Sequence, residues 1–177
     1  ATSTVSEISP NTNVGFWHEM VNHVEKGKGK TYTSVWLVND DRSERLQHIE
    51  RSQRPFIICN SSYYYFDMPY CMKYDEPGLP WASYVDTEDI YNFDPFTSWG
   101  MSKKMQANVI GLQAQLWSET VITSDQMDYC LFPRLIAFAE RAWNNNIDSG
   151  NWELFLETIK TRETEWLKAL DVSYRPI

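Results

Sequence analysis

The sequence is short of cysteine, of basic charge and of long apolar runs. Its three cysteines, Cys59, Cys71 and Cys130, form no Cys-x-x-Cys pair. An odd count without that spacing argues against a disulfide scaffold or a thiolate metal cage. The thiols assign no redox compartment. Lys and Arg number 16 against 24 Asp and Glu, a formal charge of −8. Nucleic acid demands basic surface and an anionic membrane repels an acidic chain, so a neutral ligand fits best. No apolar run approaches the roughly 18 residues of a membrane-spanning helix, so no span is expected. The opening Ala1-Thr2-Ser3-Thr4 has no Met, basic stretch or apolar core, so no secretory signal is visible there. His18, His23 and His48 lack metal-ligand spacing, and each reads as a surface or satisfied core histidine; no metal and no cofactor is expected.

Aromatic residues are what the chain has in excess: 8 Trp, 10 Tyr and 8 Phe, 15% of 177 residues. The length suits about one domain, and 42% apolar with 23% charged residues is globular composition. Trp and Tyr join an apolar face to a polar tip, so their excess suggests a ring-stacking site.

Four apolar runs read as strands: Val14–Trp17, Thr33–Val38, Pro55–Cys59 and Val109–Trp117. Residues 41–53 carry Leu46 and Ile49 at helical spacing, giving a short amphipathic helix. Lys26–Lys30 alternates Lys and Gly and reads as a solvated turn. Residues 63–107 are aromatic, contain proline and lack periodicity, which suggests a long functional loop with a helical turn at Asp86–Ile90. Asp125–Trp143 predicts a helix interrupted near Pro133, with Met127, Leu131, Leu135, Ala139 and Ala142 apolar. Trp152–Leu170 predicts a last helix with Phe155, Ile159, Trp166 and Leu170 near one face. Alternating units with wholly apolar strands suggest a parallel sheet covered by helices. Four strands are too few for a closed barrel, and an open four-stranded α/β sheet fits the pattern alone.

Each strand ends in aromatic or polar residues: Trp17, Trp36, Tyr63-Tyr64-Tyr65 with Asp67, and Trp117 with Glu119. In α/β barrels the C-terminal strand ends carry the active site. Converging rings suit a sugar, whose C–H faces pack on aromatics while acidic groups take its hydroxyls. Any single ring could equally close a core; the set favours a site. Thr123 or Ser124 is the better cap for the next helix, which leaves Glu119 freer for a ligand. Asp67, two residues after Tyr65, is either a partner of that ring or a turn cap.

Gly111-Leu112-Gln113-Ala114-Gln115-Leu116-Trp117-Ser118-Glu119-Thr120, then Phe132-Pro133-Arg134 and Ala139-Glu140-Arg141-Ala142-Trp143, closely resemble the last barrel strand and helix of glycoside hydrolase family 20. The likeness is greatest to the bacterial chitobiase branch, the β-N-acetylhexosaminidases. Tyr65-Phe66-Asp67-Met68-Pro69-Tyr70 and Trp81 resemble the same branch, as do Val14–Glu19, Val35-Trp36 and the closing Val172–Pro176. The resemblance implies an α/β fold, the second half (about strands 5–8) of a (β/α)8 barrel. It implies a tail or linker at 1–13, the C-terminal half of the catalytic barrel at 14–150, and a C-terminal helix ending that domain at 151–177. It also implies release of terminal N-acetylglucosamine or N-acetylgalactosamine from chitin oligomers or glycans. The mechanism is substrate-assisted: the sugar's own acetamide oxygen attacks the anomeric carbon. In that pattern Trp17, Trp36 and Trp117 wall the sugar, and Tyr65 positions the acetamide. Asp67 and Glu119 hold hydroxyls, and Trp81 stacks on the next sugar. A periplasmic, surface-bound or secreted location would follow.

One departure is large. The family's catalytic Asp-Glu pair lies in a His-x-Gly-Gly-Asp-Glu segment, and these 177 residues contain none. Asp75-Glu76 and Glu88-Asp89 are in the wrong loop or the wrong order, and Glu19 follows Trp17 where the family's acidic residue is not the general acid. Glu140 and Arg141 read as a structural pair. The expected partners are therefore an N-acetylhexosamine oligosaccharide and the missing N-terminal half of the barrel, with no nucleic acid. The alternatives are a non-catalytic sugar-binding half-barrel and an inactive truncation product.

Overall fold

The computed structural model describes residues 12–24, 30–36, 43–144 and 151–177. The Lys26–Lys30 turn, most of the 1–13 tail, Leu37 and Val38 lie outside those residues or at their border. The chain divides into two compact units, Ala1–Asn60 with Asp94–Gln113, and Ser61–Phe93 with Ala114–Ile177.

The first unit holds a sheet of β1 (Asn13–Trp17), β2 (Lys30–Val35), β3 (Phe56–Ile58) and β4 (Val109–Leu112). All pairings are parallel and the order is β1-β2-β3-β4. Each connection thus advances one strand in one direction. That is the winding of a barrel wall, whereas a doubly wound sheet reverses its order at a switch point. The β3–β4 register skips Ile110, a bulge that leaves this residue 58% exposed. Gly15 lies opposite Tyr32, and a Cβ there would sit 2.6 Å from the Tyr32 hydroxyl oxygen, so the ring lies across bare backbone. Arg54, buried at the entry to β3, donates to Thr31 Oγ1 at 2.8 Å and to the Val24 carbonyl. Helix α1 (Ser43–Ser52) buries Leu46 and Ile49 as its spacing predicts. This unit also contains the short helices α4 (Pro95–Ser98), capped by Asp94, and α5 (Lys103–Gln106), capped by Ser102. Four-residue helices carry too little periodicity to be read within the 63–107 stretch.

The second unit is helical. It contains α2 (Ser61–Tyr64), α3 (Thr87–Asn92), α6 (Ser124–Leu131), α7 (Arg134–Trp143), α8 (Trp152–Thr158) and α9 (Thr164–Ala169). The helical turn expected at Asp86–Ile90 is present as α3, which runs on to Asn92 and starts from a capping box of Asp86 and Asp89. The break at Pro133 divides α6 from α7 as expected, but the buried face differs from the expected one. Cys130, Arg134, Ala137 and Arg141 are buried, while Met127 is 40% exposed and Ala139 and Ala142 face outward. Glu140 accepts from Asn144 Nδ2 at 3.3 Å.

The last helix is also not continuous. A π-helical turn, Ile159–Glu163, separates α8 from α9. Its extra residue rotates the following face by about 100°. Ile159, Thr164 and Leu167 are therefore buried, and the expected Trp166 and Leu170 are 62% and 67% exposed. Phe155 is half-buried against Tyr91, rings stacked at 4.5 Å.

Candidate active site

Residues 65–67 run beside 115–117. Phe66 N donates to the Gln115 carbonyl at 2.7 Å, Gln115 N donates to the Tyr64 carbonyl at 2.9 Å, and Tyr65 and Gln115 form a parallel bridge. This pairing sets Asp67 beside Trp117, whose backbone N–H lies 3.4 Å from Asp67 Oδ1. Tyr65 stands between two indoles. Its ring centre is 5.9 Å from that of Trp81, edge-on, and 6.2 Å from that of Trp117. Tyr65 and Asp67 are buried, whereas Trp81 and Trp117 are 52% and 41% exposed. The second unit therefore brings four expected site residues together: a buried phenol and carboxylate, flanked by indoles with open faces.

Glu119, exposed, follows in the same segment and acts on Asp67 through its charge. Thr123 caps α6 by accepting from Gln126 N at 3.2 Å, so Glu119 is not the cap. Burial raises the Asp67 pKa above the ordinary carboxylate value. The N–H groups of Asp67 and Trp117 oppose that rise, Glu119 adds to it and the Arg134 charge opposes it.

Two residues that carry no expected site role support this carboxylate. Arg134, fully buried, donates to the carbonyls of Phe66 at 2.6 Å and Met68 at 2.7 Å, on either side of Asp67. It also reaches the carbonyls of Val85 at 3.3 Å and Cys130 at 2.9 Å. In an unbroken helix the Cys130 carbonyl would accept from the Arg134 backbone; at the Pro133 break the side chain satisfies it instead. The guanidinium lies 3.7 Å from the Tyr70 ring centre, and that of Arg175 lies at 4.3 Å. Gly78 has φ +117°, and a Cβ there would stand 2.5 Å from the Asp67 carbonyl oxygen and 2.8 Å from Pro69 N. The Pro133-Arg134 pair was visible as a motif; nothing local marks its side chain as facing the Asp67 segment.

The first unit holds Trp17 and Trp36 at the C-terminal ends of neighbouring strands. Trp36 Nε1 donates to Glu19 Oε1 at 2.7 Å. His18, buried and edge-on to Trp36 at 5.5 Å, accepts at Nε2 from Arg45 at 3.1 Å. It is a buried histidine, with Nδ1 3.7 Å from Glu19 Oε2, and not a surface one. Glu19 and Arg45 thus orient the Trp36 indole, directly and through His18.

One member of each of the other acidic pairs is held by local structure. Glu76 accepts from the Tyr129 hydroxyl at 3.2 Å and from Tyr70 N at 3.3 Å, and this neighbourhood with burial pushes the Tyr129 pKa up to about 12. Asp89 serves the α3 cap. Among the described residues no group of three His, Cys, Asp or Glu side chains could hold a metal ion.

Known proteins resemble this chain in sequence and in fold. The model for "Glycosyl hydrolase family 20, catalytic domain" matches residues 2–146. An N,N'-diacetylchitobiase of Vibrio harveyi is 36% identical over 116 residues, covering 55% of this chain and 12% of the relative. A β-hexosaminidase of Vibrio vulnificus is 32% identical over 136 residues, covering 58% of this chain and 16% of the relative. The chain thus spans a small part of these curated relatives. The solved exo-β-N-acetylglucosaminidase of Vibrio harveyi, in complex with N-acetylglucosamine, is similar at TM-score 0.75 and 27% identity, covering 92% of this chain and 24% of that one. The β-N-acetylhexosaminidase of Streptomyces coelicolor shares the fold at TM-score 0.80 and 24% identity, over 98% of this chain and 34% of its own. Folded as the second half (about strands 5–8) of a (β/α)8 barrel, this chain belongs to glycosyl hydrolase family 20.

Proposed function

We propose that this chain supplies the sugar-binding wall of a β-N-acetylhexosaminidase and not its general acid. The observation that carries the reading is the cluster of Tyr65, Asp67, Trp81 and Trp117, two buried polar groups flanked by open indole faces. A terminal N-acetylglucosamine or N-acetylgalactosamine lays its C–H faces on the rings, with Trp17, Trp36 and Trp117 as walls. Tyr65 donates its hydroxyl hydrogen to the acetamide oxygen and steadies it for attack on the anomeric carbon. Asp67 and Glu119 accept from sugar hydroxyls, and Trp81 stacks on the next sugar of the oligomer. The Asp that orients the acetamide nitrogen and the Glu that protonates the leaving oxygen belong to barrel segments outside these 177 residues. Asp75-Glu76 and Glu88-Asp89 do not replace them, because Glu76 and Asp89 are engaged in local hydrogen bonds.

Two measurements test the reading. Calorimetric titration of the chain with N-acetylglucosamine is expected to show weak, specific binding that Tyr65→Phe reduces. Hydrolysis of a chromogenic N-acetylglucosaminide is expected only when a polypeptide supplying the preceding barrel strands is present. Turnover by the chain alone would overturn the assignment of the acid elsewhere. Absence of binding in both preparations would overturn the sugar wall.

A further inference from the structure

We propose that Arg134 and Gly78 are positioning residues for the Asp67 carboxylate, a role that rests on the sugar-wall reading for its functional consequence. A buried guanidinium ordinarily pairs with a carboxylate. The hydrogen bonds of Arg134 go instead to backbone: Phe66 O, Met68 O, Val85 O and Cys130 O. Two of these carbonyls belong to the peptide groups that bracket Asp67, so the α6–α7 break holds the segment by its main chain. Gly78 closes on the adjoining groups, the Asp67 carbonyl and Pro69 N, at distances no other L-residue tolerates. Four consecutive residues, 66 to 69, are therefore fixed by contacts that leave the Asp67 side chain to its N–H partner at Trp117 and to a ligand. The guanidinium also brings positive charge near a carboxylate whose pKa burial raises, and it opposes that rise. A displacement of about 1 Å at such a group is enough to weaken a ligand hydrogen bond.

The test uses Arg134→Lys, which keeps the charge and loses the forked geometry, and Gly78→Ala, whose added methyl presses on the Asp67 carbonyl and Pro69 N. Each is expected to lower N-acetylglucosamine affinity about tenfold. In an Asp67→Ala background neither is expected to lower it further, because a group acting through Asp67 has nothing left to position. Hydrogen exchange at the Trp117 amide reports placement without any sugar; both variants are expected to lower the melting temperature, and to speed exchange at Trp117 more than at the Leu46 and Ile49 amides of α1. Unaltered exchange in the variants overturns the proposal, whether or not sugar binds. Faster exchange with additive affinity losses in the Asp67→Ala background also overturns it, since that is the behaviour of general destabilisation. If the unmodified chain binds no sugar but exchange responds, the positioning stands and the sugar-wall reading falls.

Discussion

Asp67 is held in a place that favours its neutral form. Burial raises its pKa, Glu119 adds repulsion, and the Arg134 charge with two N–H groups offsets only part of this. The folded state therefore binds the Asp67 proton more tightly than the unfolded chain, whose carboxyl titrates near the ordinary value of about 3.9. The stability associated with that proton is present at low pH and is lost as pH rises through the folded value. Asp67→Asn removes the penalty and retains an oxygen for the Trp117 N–H. Its melting temperature is expected to exceed that of the unmodified chain at pH 7, with the gap closing below about pH 4. The same substitution is expected to weaken N-acetylglucosamine binding about tenfold, the usual size of a lost charged hydrogen bond. An opposite sign in the melting comparison would mean that Asp67 is a structural carboxylate. Trp81→Ala is a second residue-scale test: binding of an N-acetylglucosamine disaccharide should fall several-fold more than binding of the monosaccharide, because stacking on the second ring is lost. Tyr65, Asp67 and Trp117 were legible as candidates because each sits at or near a strand end within a recognisable motif, and Trp81 because it lies in the loop that follows. Arg134 and Gly78 were not, because their partners are main-chain atoms, which carry no sequence signal.

Helices show where periodicity ceases to be a guide. In α1 the apolar spacing and the buried face agree, because nothing interrupts the helix. In α6 and α7 the chain restarts after Pro133, and the face toward the core contains Arg134 and Arg141. Hydrophobic counting cannot select that face when the core offers carbonyls to a guanidinium. In α8 and α9 the π turn moves burial from Trp166 to Leu167. Leu167→Ala is therefore expected to cost about 2–5 kcal/mol in thermal or chemical unfolding, and Trp166→Ser less than about 0.5 kcal/mol. A reversed order would show that the turn is α-helical in solution. The strands were more easily read: β3 and β4 lie within the apolar runs that suggested them, β4 ending early at Leu112, while β1 begins at Asn13 and β2 at Lys30, ahead of their runs. Their parallel order adds what pattern alone left open, the choice between an open sheet and a barrel wall.

At the scale of the molecule, β1 and β4 each have a strand partner on one side only among the described residues. Unpaired edges recruit other chains, and a net charge of −8 only partly discourages this. The isolated chain is expected to self-associate in light scattering at micromolar concentration. A polypeptide carrying the preceding strands is expected to convert it to a defined 1:1 species. A chain that stays monomeric and gains nothing from that polypeptide would favour an autonomous sugar-binding half-barrel. The missing His-x-Gly-Gly-Asp-Glu segment was legible from composition of the motifs, while the course of residues 61–93 into a second compact unit was not. Aromatic stacking such as Tyr63 on Phe93, ring centres 3.8 Å apart, draws together positions with no shared period.

The Arg134 contacts have an evolutionary corollary. Its hydrogen bonds address carbonyl oxygens, which every amino acid presents alike. The side chains of Phe66, Met68, Val85 and Cys130 are buried, so what limits change at these positions is packing and not the hydrogen bonds of Arg134. Exchanges that conserve volume at those four places leave the main-chain hold intact, and the Asp67 carboxylate stays where it is.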